Sequence, residues 1–273
     1  GDLIIGDGVG EGTVTLDGVV VTGRLVVRGG GVNSVRIIGG SDVKNIIIAR
    51  VDGKVRVFID NGTTVEEVIV NGDEDVIIDG DIDTLAILAP DITVTLAGGK
   101  VQTALILGEN SRLIVGPNAE VDTIAVVAPN VDIEVEGAVN QIGFTENGDG
   151  GTVSGTGKVK NVVSYADDVV VTTIGAVVYA GQGTSGVYAG AKPVAPGTSE
   201  IVEGPSIGGG GGTPPPPTPT LTLNSVQIAG APVPTTVIGG VTYYQIKNNW
   251  TADTELLANV TGANFVADQM YSM

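Results

Sequence analysis

Six carboxylates crowd a short stretch of the sequence, and carboxylate oxygens are the ligands that Ca²⁺ prefers. They lie within NGDEDVIIDGDID, residues 71–83, and are Asp73, Glu74, Asp75, Asp79, Asp81 and Asp83. An EF-hand loop needs glycine at its sixth position, but Val76 or Thr84 stands there, depending on whether the loop starts at Asn71 or Asp79. Two interpretations stay open: polar corner residues of a repeat, or a surface calcium site. The candidate calcium ligands are Asp73, Asp75, Asp79, Asp81 and Asp83.

Composition limits the other kinds of chemistry. The 273 residues include 31 acidic and 13 basic side chains, which give a net charge of −18. Such a surface disfavours nucleic acid, because phosphate binding needs positive charge. The chain has no histidine and no cysteine, so Ser–His catalysis, thiolate metal sites and disulfides are excluded. No apolar run approaches the ~20 residues of a membrane-spanning helix.

A repeat of about 20 residues organises the first two thirds of the chain. The runs that start at Ile82, Val101 and Val121 are IDTLAILAPDITVTL, VQTALILGENSRLIV and VDTIAVVAPNVDIEV. Each has threonine two positions after its start, then an apolar run, then Asp or Asn at the ninth position. The same frame fits starts at Val21, Val43, Val65, Val139 and Val159.

This period predicts an all-β fold, a single-stranded parallel β-helix of about nine rungs. Alternation within VDIEVEG directs Val131, Ile133 and Val135 inward and the acids between them outward. Ladders of aliphatic residues need few aromatic side chains, in keeping with an aromatic content of 4%. Irregular rung lengths and the missing hexapeptide pattern favour a right-handed coil.

The ninth-position residues form a second candidate site. They are Asp52, Asp91, Asn110, Asn130 and Asp168. We expect them to form corners whose side-chain amides stack and hydrogen-bond along the rod. The alternative is a track of carboxylates and amides that binds a ligand.

Composition divides the chain into four parts. Residues 1–178 form the predicted β-helix, and the Gly/Ala-rich residues 179–207 are expected to close its C-terminal end. Residues 208–220, with the sequence GGGGGTPPPPTPT, form a predicted flexible and polyproline linker. Residues 221–273 form a small β-rich domain with strands near 221–230 and 241–249, and a short helix is expected in the last 23 residues. We expect this domain to be incomplete by itself or completed by a neighbouring chain, and the alternative is an ordinary appended β domain.

Several strings resemble a segment of known surface proteins. They are GRLVVRGGGVNSVRI (23–37), DGKVRVFIDNGTTVEEVIVNG (52–72), VAPNVDIEVEG (127–137) and VSGTGKVKNVVSYADDVVV (153–171). These strings are similar to a region of S-layer-homology (SLH) type cell-surface proteins of Gram-positive Firmicutes. The resemblance covers about residues 1–173. It implies a secreted protein on the cell envelope and supplies no catalytic residues.

The sequence therefore predicts a non-enzymatic, extracellular structural protein. Its rod would assemble with other copies of itself into a layer, fibre or matrix through its ends and its C-terminal segment. Charge asymmetry offers one way to orient stacked rods, because Arg28, Arg36, Lys44, Arg50, Lys54 and Arg56 concentrate positive charge in the early rungs. One alternative is a surface module that binds calcium or glycans such as cell-wall polysaccharide. A second is a polysaccharide-active β-helix enzyme with paired carboxylates.

Overall fold

The fold is known for most of the chain from a computed structural model. It describes residues 1–32 and 35–204, and the backbone of the strand residues 220–228, 231–232, 235–238, 241–244 and 256–263. The chain divides into two compact units, Gly1–Ser206 and Ile207–Met273. The predicted linker at 208–220 lies outside the described residues, except for Thr220 at the start of a strand.

The first unit is a parallel β-solenoid of about nine turns, as predicted, and one 3₁₀ turn at Asp7–Val9 is its only helical element among the described residues. Its strands in chain order are β1 (Leu3–Ile5), β2 (Val14–Asp17), β3 (Val20–Val27), β4 (Val35–Ile38), β5 (Asp42–Ile48), β6 (Val55–Ile59), β7 (Glu67–Val70), β8 (Val76–Asp79), β9 (Ile82–Ile87), β10 (Thr93–Ile106), β11 (Arg112–Val126), β12 (Asp132–Val135), β13 (Ala138–Phe144), β14 (Thr152–Ser154), β15 (Lys158–Ser164), β16 (Val170–Val171), β17 (Val177–Ala180), β18 (Tyr188–Ala189), β19 (Lys192–Pro193) and β20 (Ser199–Ile201).

These strands stack into two parallel sheets. The first sheet contains β1, β3, β5, β7, β9, the C-terminal parts of β10 and β11, β13, β15 and β17. The second contains β2, β4, β6, β8, the N-terminal parts of β10 and β11, β12, β14, β16 and β18. Strands β10 and β11 bend from one sheet to the other. The chain therefore visits both sheets once in every turn.

Aliphatic ladders fill the space between the sheets. Val94, Leu113 and Ile133 lie in register on successive rungs and are fully buried, which confirms the predicted direction of these side chains. Burying one such side chain contributes about 1.5–3 kcal/mol. Each rung buries its aliphatic residues against the rungs above and below it, so stability depends on stacking.

The two ends of the solenoid differ. At the C-terminal end, β19 pairs antiparallel with β18, and β20 pairs antiparallel with β17. Val194 and Val202 of this segment are buried. At the N-terminal end, Leu3, Val9, Val14 and Val19 pack on the core but are only partly buried. Parallel pairing thus continues past the predicted boundary at 178 to Ala189, and only residues 190–204 fold back on the last turn.

The described part of the second unit consists of strands. They are β21 (Thr220–Ile228), β22 (Ala231–Pro232), β23 (Thr235–Ile238), β24 (Val241–Tyr244) and β25 (Leu256–Ala263). β21 pairs antiparallel with β22 and β25, and β23 pairs with β24. The expected short helix near the C-terminus is wrong for Leu256–Ala263, because all eight residues pair with β21, with one register shift between Leu223 and Ser225.

Candidate functional site

The structure separates the five calcium candidates. Asp75 accepts a 2.8 Å hydrogen bond from the Thr93 backbone N–H, and its other oxygen lies 3.3 Å from Lys54 Nζ. Asp79, at the end of β8, forms an ion pair with Arg56. These two carboxylates therefore face different partners on neighbouring rungs, and neither leaves both its oxygens free for a shared cation.

The next two candidates also bond along the rod. Asp81 accepts a 2.8 Å hydrogen bond from the Lys100 backbone N–H. Asp83 accepts a 2.7 Å hydrogen bond from the Gln102 side chain. Asp73 is exposed in the bend before β8. Within the described residues, no group of three or more His, Cys, Asp or Glu side chains is placed to hold a metal ion. Four of the five candidates thus connect adjacent rungs.

The ninth-position residues form a regular corner. Asp91, Asn110, Asn130 and Asp168 all adopt left-handed backbone, with φ of 55–57°. Aspartate and asparagine tolerate this conformation better than other non-glycine residues. Asp52 differs, because the left-handed residue of its turn is Gly53.

Side chains of this corner bond from rung to rung. Asn110 Nδ2 donates to Asp91 Oδ1 at 3.0 Å, and Asn130 Nδ2 donates to Asn110 Oδ1 at 3.2 Å. The amide ladder ends at Gly150, which takes the left-handed position on the next rung. Asp168 is therefore separated from the three-residue ladder, and the five predicted residues do not form one continuous track.

Replacing Asn110 with aspartate should weaken the amide ladder without changing the corner. We expect a loss of about 1 kcal/mol at pH 7, because Asp91 loses its donor and gains a like charge. The new carboxyl would have a raised pKa in the folded state, so the loss should shrink as pH falls towards 4, where a protonated acid donates again. Urea unfolding at pH 7 and pH 4 measures this, and equal losses at both values would contradict it.

Arg50 is a buried clamp that the sequence did not reveal. Only 4% of its side chain is exposed. Its Nη2 donates to Glu11 Oε1 at 2.7 Å, and its Nε donates to Gly53 O at 2.6 Å. Its sequence position groups Arg50 with the other early-rung positive charges, but the guanidinium joins the first turn of the chain to a rung two turns later. Alternation patterns show no such contact, because it joins residues 39 positions apart.

One outward column of the first sheet is apolar along its whole length, beside a polar column that runs from Arg24 to Asn161. Ten residues stand in register on successive rungs between inward residues of the core, and they form one outward column: Ile4, Val26, Ile47, Ile69, Ala86, Leu105, Ala125, Gly143, Val163 and Tyr179. A column beside it contains the exposed Leu88, Leu107 and Tyr165. The second sheet instead places Thr95, Ile114 and Glu134 in its outward column.

Alternation in VDIEVEG, where acids lie on the outward positions, did not predict this surface. The missed signal is the run of apolar residues on both faces of each strand, as in LAILA, ALIL and IAVVA. Parallel strands that read this way are typically covered on both faces. We call the last six rungs of this surface the apolar outer face. It has three outward columns over six rungs. The first, from Thr84 to Val177, is polar except at Val177, and the other two, from Ala86 to Tyr179 and from Leu88 to Gly181, are apolar or glycine except at Thr145.

Two shallow surface grooves lie next to each other where β10 and β11 bend. One has a volume of about 290 Å³ and the other about 370 Å³, and both contact Glu120. Lys100 lies 3.2 Å from Glu120 at the edge of the first groove. Neither lining holds an aromatic side chain that could stack on a sugar ring.

Comparison with protein-family models, curated proteins and solved structures finds no match for this chain. Within the described part of the chain, no helix has the length and apolar character needed to cross a bilayer.

Proposed function

We propose that the chain is a non-enzymatic structural protein of the cell surface. Its solenoid acts as a rod within an extracellular layer, fibre or matrix, and its partners are other copies of itself. The observation that carries this proposal is the use of outward polar side chains as ties between rungs. Such ties stiffen a rod and keep its strands in register.

Ion pairs illustrate these ties. Nine of the 13 Lys and Arg side chains form ion pairs in the described part of the chain, and eight of these nine reach an acid on another rung. Arg24 is one case: its hydrogen bonds to the Asp2 carboxylate hold the pKa of Asp2 below its ordinary value. Exposed pairs contribute only about 0–1 kcal/mol each, so we assign them to register rather than to stability.

The early-rung cations are used locally. Arg28 pairs with Asp7, Lys44 with Glu66 and Lys54 with Asp75. These pairs leave less free positive charge to orient stacked rods than the sequence suggested. The resemblance to surface proteins supports an extracellular location, and an acidic coat supports solubility there.

Immunogold labelling of native cells tests this function. We expect label on the outer envelope and an ordered layer or fibres by negative-stain microscopy. Label confined to the cell interior would overturn the proposal. Calorimetry with CaCl₂ and with purified cell-wall polysaccharide separates the rod from a binding module, because a rod should give no saturable heat with either.

A further inference from the structure

We propose that two copies of the chain pair side by side through the apolar outer face. This deepens the proposed function, on which it rests for its purpose, since it names the surface through which rods associate. The evidence for it is separate: it comes from charge, area and the order of side-chain sizes on that face. The partner is a second copy rather than a foreign protein, because these three features fit the face to itself.

Charge is the first argument. The chain carries a net charge of −18, so two copies repel each other over most of their surfaces. The apolar outer face is the exception. Its 18 outward positions, from Thr84 to Gly181, contain no Asp, Glu, Lys or Arg. Two acidic rods can approach each other through this face without bringing like charges together.

Area is the second argument. Six rungs at a spacing of ~4.8 Å extend about 29 Å along the rod, and three outward columns extend about 20 Å across it. Each copy therefore offers roughly 600 Å², and a pair buries about 1,200 Å², which reaches the range of specific interfaces. Exposed Leu88, Leu107 and Tyr165 lie within this area, with exposures of 40%, 41% and 56%. Twelve of the 18 outward positions are apolar or glycine and six are Thr, Gln or Asn. Specific interfaces combine apolar and polar area in this way.

Side-chain size is the third argument. Along the middle column, Leu105 projects between Ala86 and Ala125, and Gly143 leaves a recess before Val163. A two-fold axis through Ala125 would place Leu105 of one copy over Gly143 of the other, and Val163 over Ala86. Both copies have the same rung spacing, so over the five rungs from Ala86 to Val163 each bulky residue of this column meets a small one, and Tyr179 lies opposite Ile69 beyond them. Closed two-fold pairs of this kind are the commonest soluble oligomers.

Charged substitutions on the two sheets test the pair in the full chain. Leu105→Glu places a carboxylate on the apolar outer face, whereas Ile114→Glu places the same charge on the outward column of the second sheet. We expect sedimentation velocity to show the unmodified chain and Ile114→Glu as dimers in the micromolar range. Leu105→Glu should raise the dimer Kd on the order of 100-fold or more, because like charges would be buried near each other. Circular dichroism should show the same β signal for all three proteins.

Cross-linking gives a second test, because the chain has no native cysteine. Ala125→Cys lies on the expected two-fold axis, so a short bis-maleimide should join two copies efficiently. Ile114→Cys should give little cross-linked product. The proposal is overturned if the unmodified chain is monomeric at 100 µM, if the two glutamate variants dimerise equally, or if the two cysteine variants cross-link equally.

These outcomes are distinct from those of the proposed function. A monomeric chain within a surface layer would overturn the side-by-side pair and leave the structural function standing. A dimer whose antibody label stays inside the cell would keep the pair and overturn the function.

Discussion

Replacing Gly99 with alanine is expected to destabilise the solenoid by at least about 3 kcal/mol. Gly99 lies at the bend of β10 with a backbone φ of 92°, a conformation that residues other than glycine rarely adopt. A Cβ there would lie 2.2 Å from Gly80 O and 2.8 Å from Gly80 Cα. These are backbone atoms of the rung below, so relief requires the stacked corners to separate. Chemical unfolding followed by circular dichroism measures the loss.

Gly143→Ala is the matched control. A Cβ at Gly143 would have Ile124 O, at 4.0 Å, as its nearest neighbour, and Gly143 lies in the strand β13. Because alanine restricts the unfolded chain more than glycine does, we expect a change within about 1 kcal/mol. Equal losses of unfolding free energy for Gly99→Ala and Gly143→Ala would contradict the close approach of Gly99 to Gly80.

Leu113→Asp should strongly destabilise the core of the solenoid. Leu113 is fully buried between Val94 and Ile133 of the neighbouring rungs. A carboxylate there would have no cation beside it in an aliphatic ladder, which we expect to cost more than about 4 kcal/mol. The cooperative unfolding transition should be lost or split, because the rungs on either side would no longer stack across this point.

The next residue provides the control for this substitution. Ile114 belongs to the same strand but points outward, beside Thr95 and Glu134. Ile114→Asp should cost no more than about 1 kcal/mol, since the new charge stays in contact with water. Similar melting curves for the two aspartate variants would show that the assigned strand directions are wrong.

Much of the solenoid could be predicted because the pattern that defines it, apolar–polar alternation at a fixed spacing, is local and recurs in every rung. Alternation in VDIEVEG directs Ile133 inward, and the spacing from Val101 to Val121 predicts which residues pair. Each rung repeats the same pattern, so a wrong assignment in one rung does not change the assignments in the others. The C-terminal unit has no such repetition, and there the described part of the segment expected to carry a helix, Leu256–Ala263, forms the strand β25.

The candidate site was harder to predict, because its residues are defined by contacts between rungs. From their spacing alone, Asp75 and Asp81 could be ligands of a calcium loop or polar residues at the corners of the coil. The structure shows each accepting a backbone N–H from the next rung, a bond between residues 18 or 19 positions apart. A sequence lists carboxylates in order but does not say which amide lies in front of each one.

By itself the sequence determined the coil: its period, its inward aliphatic ladders and the corners at Asp91, Asn110 and Asn130. Hydrophobic periodicity and backbone preference are properties of short segments, so they can be read from the chain. Only the tertiary structure decided the buried clamp of Arg50 and the continuous apolar column through Leu105. Both depend on which side chains different rungs place beside each other, and stacking decides that only when the whole coil has formed.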